Sequence, residues 1–139
     1  MARIVGLDVG DRRIGVAVSD ALGLSAQPSP TVTRRSLAED VTAIERLVAS
    51  CEAAEVVVGL PKTLNGTIGP QAQKVLAFAD ALKARLAVPV TTWDERFTTV
   101  EAERVLLEAD MSRAKRKKVI DGLAAGLILQ GYLESRRQG

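Results

Sequence analysis

The chain has 139 residues, of which 47% are hydrophobic, 26% charged and only 3% aromatic, the balance of one globular domain over residues 1–139 with a core of Val, Leu, Ile and Ala. It contains no histidine, which excludes His-based triads, His–zinc centres and imidazole acid–base chemistry, and its one cysteine, Cys51, cannot form an intramolecular disulfide. The net charge of +2 is uneven: 12 basic and 15 acidic residues up to Asp110 give way to 7 basic and 2 acidic from Met111 onward, so an anionic partner fits the C-terminal part.

Residues 2–9, ARIVGLDV, read as a short buried strand, GDRR as a turn, and residues 14–20, IGVAVSD, as the second strand of a β-hairpin. The next stretch, ALGLSAQPSPTVTRR, is punctuated by Pro and Ser, and only TVT at 31–33 suggests a third strand. Ser36 and Glu39 form a capping box, and Leu37, Val41, Ile44, Leu47, Val48 and Cys51 then fall on one helical face. EVVVGLP at 55–61 is a continuous apolar run, the pattern of a strand covered on both faces. After the glycine-bearing loop KTLNGTIG, Pro70 suits the first turn of a helix whose core stripe is Val75, Phe78, Leu82 and Leu86.

VPVTTW at 88–93 is a further strand, ending at Asp94 and Glu95. Thr98 and Glu101 cap a short helix to about Asp110, and SRAKRKK leads into a last helix with Ile120, Leu123, Ala124, Leu127 and Ile128 in period. The order predicts an α/β fold, a mixed five-stranded sheet with helices on both faces. The N-terminus lacks the long apolar region of a signal peptide, and residues 119–133 are too short to span a bilayer and carry Asp121. A cytoplasmic protein without membrane attachment is expected, as monomer or homodimer.

Three acidic positions lie where apolar elements open to solvent. Asp8 ends the first strand just before Gly10, Asp94 and Glu95 end the strand VPVTTW, and Asp121 sits near the start of the last helix, on one face with Ala125, Ile128 and Tyr132. Each has a plain alternative. Asp8 can be a turn residue, Asp94–Glu95 with Arg96 a solvated ion-pair cluster, and Asp121 a favourable charge at a helix start. Meeting at one sheet edge, they would instead hold Mg²⁺ or Mn²⁺, which prefer oxygen ligands and support phosphodiester hydrolysis without histidine.

The basic run Arg113, Lys115, Arg116, Lys117 and Lys118 is either a solvated face or a phosphate contact beside Asp121. Arg12 and Arg13 in the hairpin turn and Lys62 in the loop after the central strand are further candidates for phosphate contact, with Arg96 beside the Asp94–Glu95 pair. Trp93 is expected to pack rather than stack on a base.

Four segments in order, GLDVGDRRIGVAVSD, VVGLPKTLNG, DERFTTVEA and KKVIDGLAAGLILQGYL, resemble the YqgF family, also called RuvX, of the ribonuclease H-like superfamily. The resemblance runs nearly end to end. It implies a ribonuclease H-like fold, similar to Holliday-junction resolvases, and a metal-dependent nuclease that processes the 5′ end of pre-16S ribosomal RNA. The expected partners are structured RNA and branched DNA. It also implies an acidic triad, carried here by Asp8, one acid of the Asp94–Glu95 pair and Asp121; the longer side chain of Glu95 favours it over Asp94. Two other readings are an ATP-binding lobe, disfavoured because such ATPases close two lobes on the nucleotide, and an inactive nucleic-acid-binding ribosome-assembly module.

Overall fold

Alternation along the first strand decides the layering of this protein. The computed structural model describes residues 3–63, 65–95 and 113–138, apart from the side chains of 113–122, 137 and 138. β1 (Arg3–Val9) and β2 (Arg13–Ser19) form the expected antiparallel hairpin, and β3 (Ala26–Thr33) pairs with the far side of β2. After α1 (Leu37–Ser50), β4 (Ala53–Leu60) runs parallel to β1. α2 (Pro70–Arg85) then leads to β5 (Val90–Asp94), parallel to β4, and α3 (Arg113–Gln138) is the last helix. The sheet has the strand order β3-β2-β1-β4-β5, the mixed five-stranded arrangement the sequence predicts.

The odd residues of β1, Val5, Leu7 and Val9, join Val56, Val58 and Leu60 of β4 in one core with Val41 and Ile44 of α1 and Phe78 and Leu82 of α2. On the other face Ile4, Ala17 and Val57 pack on Ala125, Leu129 and Leu133 of α3. Helices therefore cover both faces, and each fully buried aliphatic side chain contributes roughly 1.5–3 kcal/mol. α3 comes close to β1 because Gly6 has no side chain: a methyl group there would lie 2.8 Å from Leu129 Cβ. Pro70 opens α2 as expected, and Ser36 Oγ accepts the Glu39 N–H at 3.1 Å to cap α1, which is one half of the expected capping box.

Other expectations differ from the structure. β3 spans eight residues rather than three, and it includes Pro28 and Pro30; the strand lies at the sheet edge, where a missing N–H is tolerated. The basic run does not lead into the last helix but belongs to its backbone, because α3 already starts at Arg113. Asp121 consequently stands in the third turn, beyond the reach of a helix-start charge effect. Leu37 is 51% exposed instead of packed, since the first turn of α1 docks through buried Asp40. The short helix expected to about Asp110, with its Thr98–Glu101 cap, lies outside the described residues.

Candidate active site

The residues around Asp8 are notable for their smallness. Asp8 pairs across the hairpin with Gly15, and on the other side the residue after Val58, the partner of Leu7, is Gly59. The strand positions beside Asp8 are thus both glycine. Gly59 has a second duty, because a methyl group there would collide with Ile128 Cδ1 of α3 and lie 3.3 Å from Glu95 Cγ. Glu95 follows β5 directly, two residues beyond Trp93, the β5 partner of Gly59. Asp8 and Glu95 thereby line one cleft of about 330 Å³, together with Gly10, Asp11, Gly59 and Gln71.

Asp94 does not share that cleft. It pairs with Leu60, whose side chain belongs to the core beneath α1 and α2, so Asp94 faces the side opposite to Glu95. Its Oδ2 lies 3.8 Å from Lys62 Nζ, which places the Lys62 ammonium in an ion pair. Arg12 is exposed in the hairpin turn and Arg13 is half-buried. Arg96 lies outside the described residues, as do the side chains of Arg113, Lys115, Arg116, Lys117, Lys118 and Asp121. The backbone of α3 carries residue 121 one turn ahead of Ala125, the residue whose carbonyl oxygen abuts Gly6.

Gln71 and Asp11 do not stand out in the sequence. Gln71 follows Pro70 in the first turn of α2, and the helix start brings it to the cleft; the proline is the available signal. Asp11 lies in the turn between β1 and β2, 3.6 Å from Lys74 of α2. A larger groove between β3 and α1, about 620 Å³, is lined by Arg35, Glu39 and Arg46 among others and contains none of the acids expected to bind metal.

Away from the cleft, Glu55 of β4 accepts hydrogen bonds from Tyr132 Oη and, at 2.6 Å, from Arg136 Nη1. Burial raises the Tyr132 phenol above its ordinary value of 10.0, and the Glu55 carboxylate adds to the rise. Trp93 meets the Tyr132 ring edge-on at 6.0 Å, in keeping with a packed rather than base-stacking indole. At the far end of β2, Asp20 accepts the Leu24 N–H at 2.7 Å, which lowers its carboxyl below 3.8.

Among the described residues no three metal-ligating side chains come together. Asp8 and Glu95 are two, and Mg²⁺ commonly takes one or two carboxylates from the protein and completes its shell with water and substrate phosphate. All-oxygen donors in a solvent-reached cleft fit Mg²⁺ or Mn²⁺.

The family model described as RuvX, Holliday junction resolvase, matches residues 2–135. The chain belongs to the RuvX family. A relative in Caldanaerobacter subterraneus subsp. tengcongensis, named "Putative pre-16S rRNA nuclease", is 56% identical over 97% of this chain and 98% of its own. One of the same name in Clostridium botulinum is 53% identical over 96% of this chain and 97% of its own. Among solved structures, RuvC of T. thermophilus in complex with Holliday junction substrate superposes with a TM-score of 0.63 at 14% identity, covering 99% of this chain and 97% of that one. Likeness at that identity is a likeness of fold, and the fold is the ribonuclease H-like one expected for the RuvX family. Among the described residues no helix is long and apolar enough to cross a membrane.

Proposed function

We propose that this chain is a divalent-cation-dependent nuclease that hydrolyses phosphodiester bonds, with the 5′ end of pre-16S rRNA as its main substrate and branched DNA as a second one. The observation that carries the reading is the convergence of Asp8 and Glu95 on one cleft that Gly59 also lines, in a member of the RuvX family. Asp8, Glu95 and Asp121 bind Mg²⁺ or Mn²⁺. The cation, when bound, supplies charge neutralisation at the phosphoryl oxygens and activation of a water nucleophile.

The chain's own groups do the rest. Asp8 stands on a strand of the central sheet and Glu95 directly after another, so both carboxylates are held by rigid elements rather than by long loops. Arg12 and Arg13, which follow Asp11 in the sequence, and Arg113, Lys115, Arg116, Lys117 and Lys118 in the sequence of α3 position the phosphate backbone without reading its sequence. Arg96, next to Glu95 in the sequence, extends that contact, and Lys62 joins it where a phosphate competes with Asp94 for its ammonium. The protein acts as one cytoplasmic domain, as monomer or homodimer.

The test is cleavage of a labelled pre-16S 5′ precursor and of a four-way DNA junction with Mg²⁺, Mn²⁺ or EDTA, comparing wild type with Asp8→Asn. Cation-dependent cleavage that Asp8→Asn abolishes is the expected result. Equal cleavage by the two proteins, or cleavage that survives EDTA, overturns the metal site. Binding of both substrates without any cleavage assigns the chain to the inactive assembly module instead.

A further inference from the structure

The turn that follows Asp8 is gripped from outside at its backbone by an arginine, beside the ion pair of its Asp11 with Lys74. Inside the turn, the Gly10 N–H donates to Arg13 O at 2.9 Å, and a methyl group on Gly10 would lie 2.8 Å from that same oxygen. With its N–H committed and no side chain, Gly10 offers the rest of the protein its carbonyl. Arg34, in the link between β3 and α1, takes it: Nη1 donates to Gly10 O at 3.0 Å. The Arg34 backbone N–H donates to Arg12 O at 2.9 Å, so the turn is held at two carbonyls by one residue.

Arg34 is itself fixed. Its Nε donates to Asp40 Oδ2 at 3.1 Å, and its guanidinium carbon lies 5.3 Å from the centre of the Phe78 ring of α2. Asp40 is 2% exposed and its other oxygen accepts the Arg35 N–H at 2.9 Å. A buried carboxylate needs a cation, and any cation at Nε would satisfy that need. Neutralising Asp40 does not require the bond to Gly10. That second arm runs toward the cleft, which Gly10 lines together with Asp8.

We propose that Arg34 is a positioning residue for the Asp8 carboxylate: anchored on Asp40 and Phe78, it sets the Gly10–Arg12 turn and through it the approach of Asp8 to Glu95. The proposal rests on the reading of the cleft as a cation site. A planar guanidinium directs two N–H groups along fixed directions, to Asp40 and to Gly10 at once, whereas a lysine ammonium neutralises Asp40 without holding both.

The test is Arg34→Lys in the full chain, read by calorimetry with Mn²⁺ alone, by kcat and KM on the precursor RNA, and by amide hydrogen exchange. Mn²⁺ binding is expected to weaken roughly tenfold, the scale at which partners behind a metal ligand act. In parallel, kcat falls while KM holds, and exchange quickens at residues 8–13 but not in α1 or α2. Wild-type Mn²⁺ affinity and kcat, or faster exchange throughout the chain, overturns the proposal. If Arg34→Lys does not fold, Asp40→Asn serves, since it loosens Arg34 while leaving Oδ1 for the Arg35 N–H; it must show the same loss of Mn²⁺ binding. Asp8→Asn separates the two layers. If it binds Mn²⁺ as wild type does, the cation site itself falls, whatever Arg34 does.

Discussion

Asp94 and Glu95 are consecutive in the chain and leave the sheet on opposite faces. Asp94 sits beside Leu60 and Lys62, while Glu95 shares the Asp8 cleft. Glu95→Gln is therefore expected to lower cleavage by on the order of 100-fold, the scale at which loss of one electrostatic group at a reacting centre acts. Asp94→Asn should cleave at close to the wild-type rate and cost up to about 1 kcal/mol through the weakened Lys62 pair. Rates on one RNA substrate and urea midpoints for both variants decide between the neighbours; equal activity loss would contradict the division of faces.

Gly59→Ala tests the seam between β4 and α3. The new methyl would press on Ile128 and Glu95. Overpacking of this kind costs about 1–3 kcal/mol, and cleavage should fall further than stability explains because Glu95 must move. Gly126→Ala on α3 is the control, since nothing lies within 4 Å of its added methyl. It should raise stability by up to about 1 kcal/mol through helix propensity alone. Chemical denaturation of both variants checks the contrast.

The single tyrosine makes the Glu55 cluster readable by absorbance. Tyr132 is expected to ionise with a midpoint above 10.0, because burial and the Glu55 carboxylate both oppose the phenolate. A phenol raised in the folded state stabilises that state fully below 10.0, and this contribution is lost as pH rises through the raised midpoint. Glu55→Gln should bring the midpoint down toward 10.0 in a spectrophotometric titration. A midpoint at the ordinary value in wild type would show that the phenol is solvated.

What is legible in the chain is what local pattern encodes. The hairpin, the Ser36 cap and the apolar faces of α1 and α2 follow from residues a few positions apart, and Asp8 is visible as an acid between an apolar strand and a glycine. The choice between Asp94 and Glu95 is not decidable in the same way. It depends on which face of β5 meets α3, and that is fixed only by pairing with β4. Asp40 reads as an ordinary first-turn acid, because its role comes from Arg34 bridging to Gly10, 24 residues earlier in the chain. The full length of β3 is hidden because two prolines argue against a strand unless it lies at an edge, and edge position is a property of the whole sheet.

Replacing Lys115, Arg116, Lys117 and Lys118 with Ala tests the basic start of α3. Affinity for RNA should fall, and the slope of log K against log salt should flatten by roughly 0.7–0.9 for each phosphate left without its cation. The effect on folding should be small, since alanine favours helix. An unchanged slope in binding titrations across salt would move the nucleic-acid surface to Arg12 and Arg13.

The prolines of β3 have a bearing beyond topology. Pro28 and Pro30 remove two backbone donors from the outermost strand, and the pairing of that strand with β2 shifts register between Ser29 and Val32. A strand from another molecule that tried to dock along β3 would find the hydrogen-bond ladder interrupted in its middle. The sheet is thus guarded against growing past β3, and concentrated protein should resist edge-to-edge aggregation there without relying on surface charge.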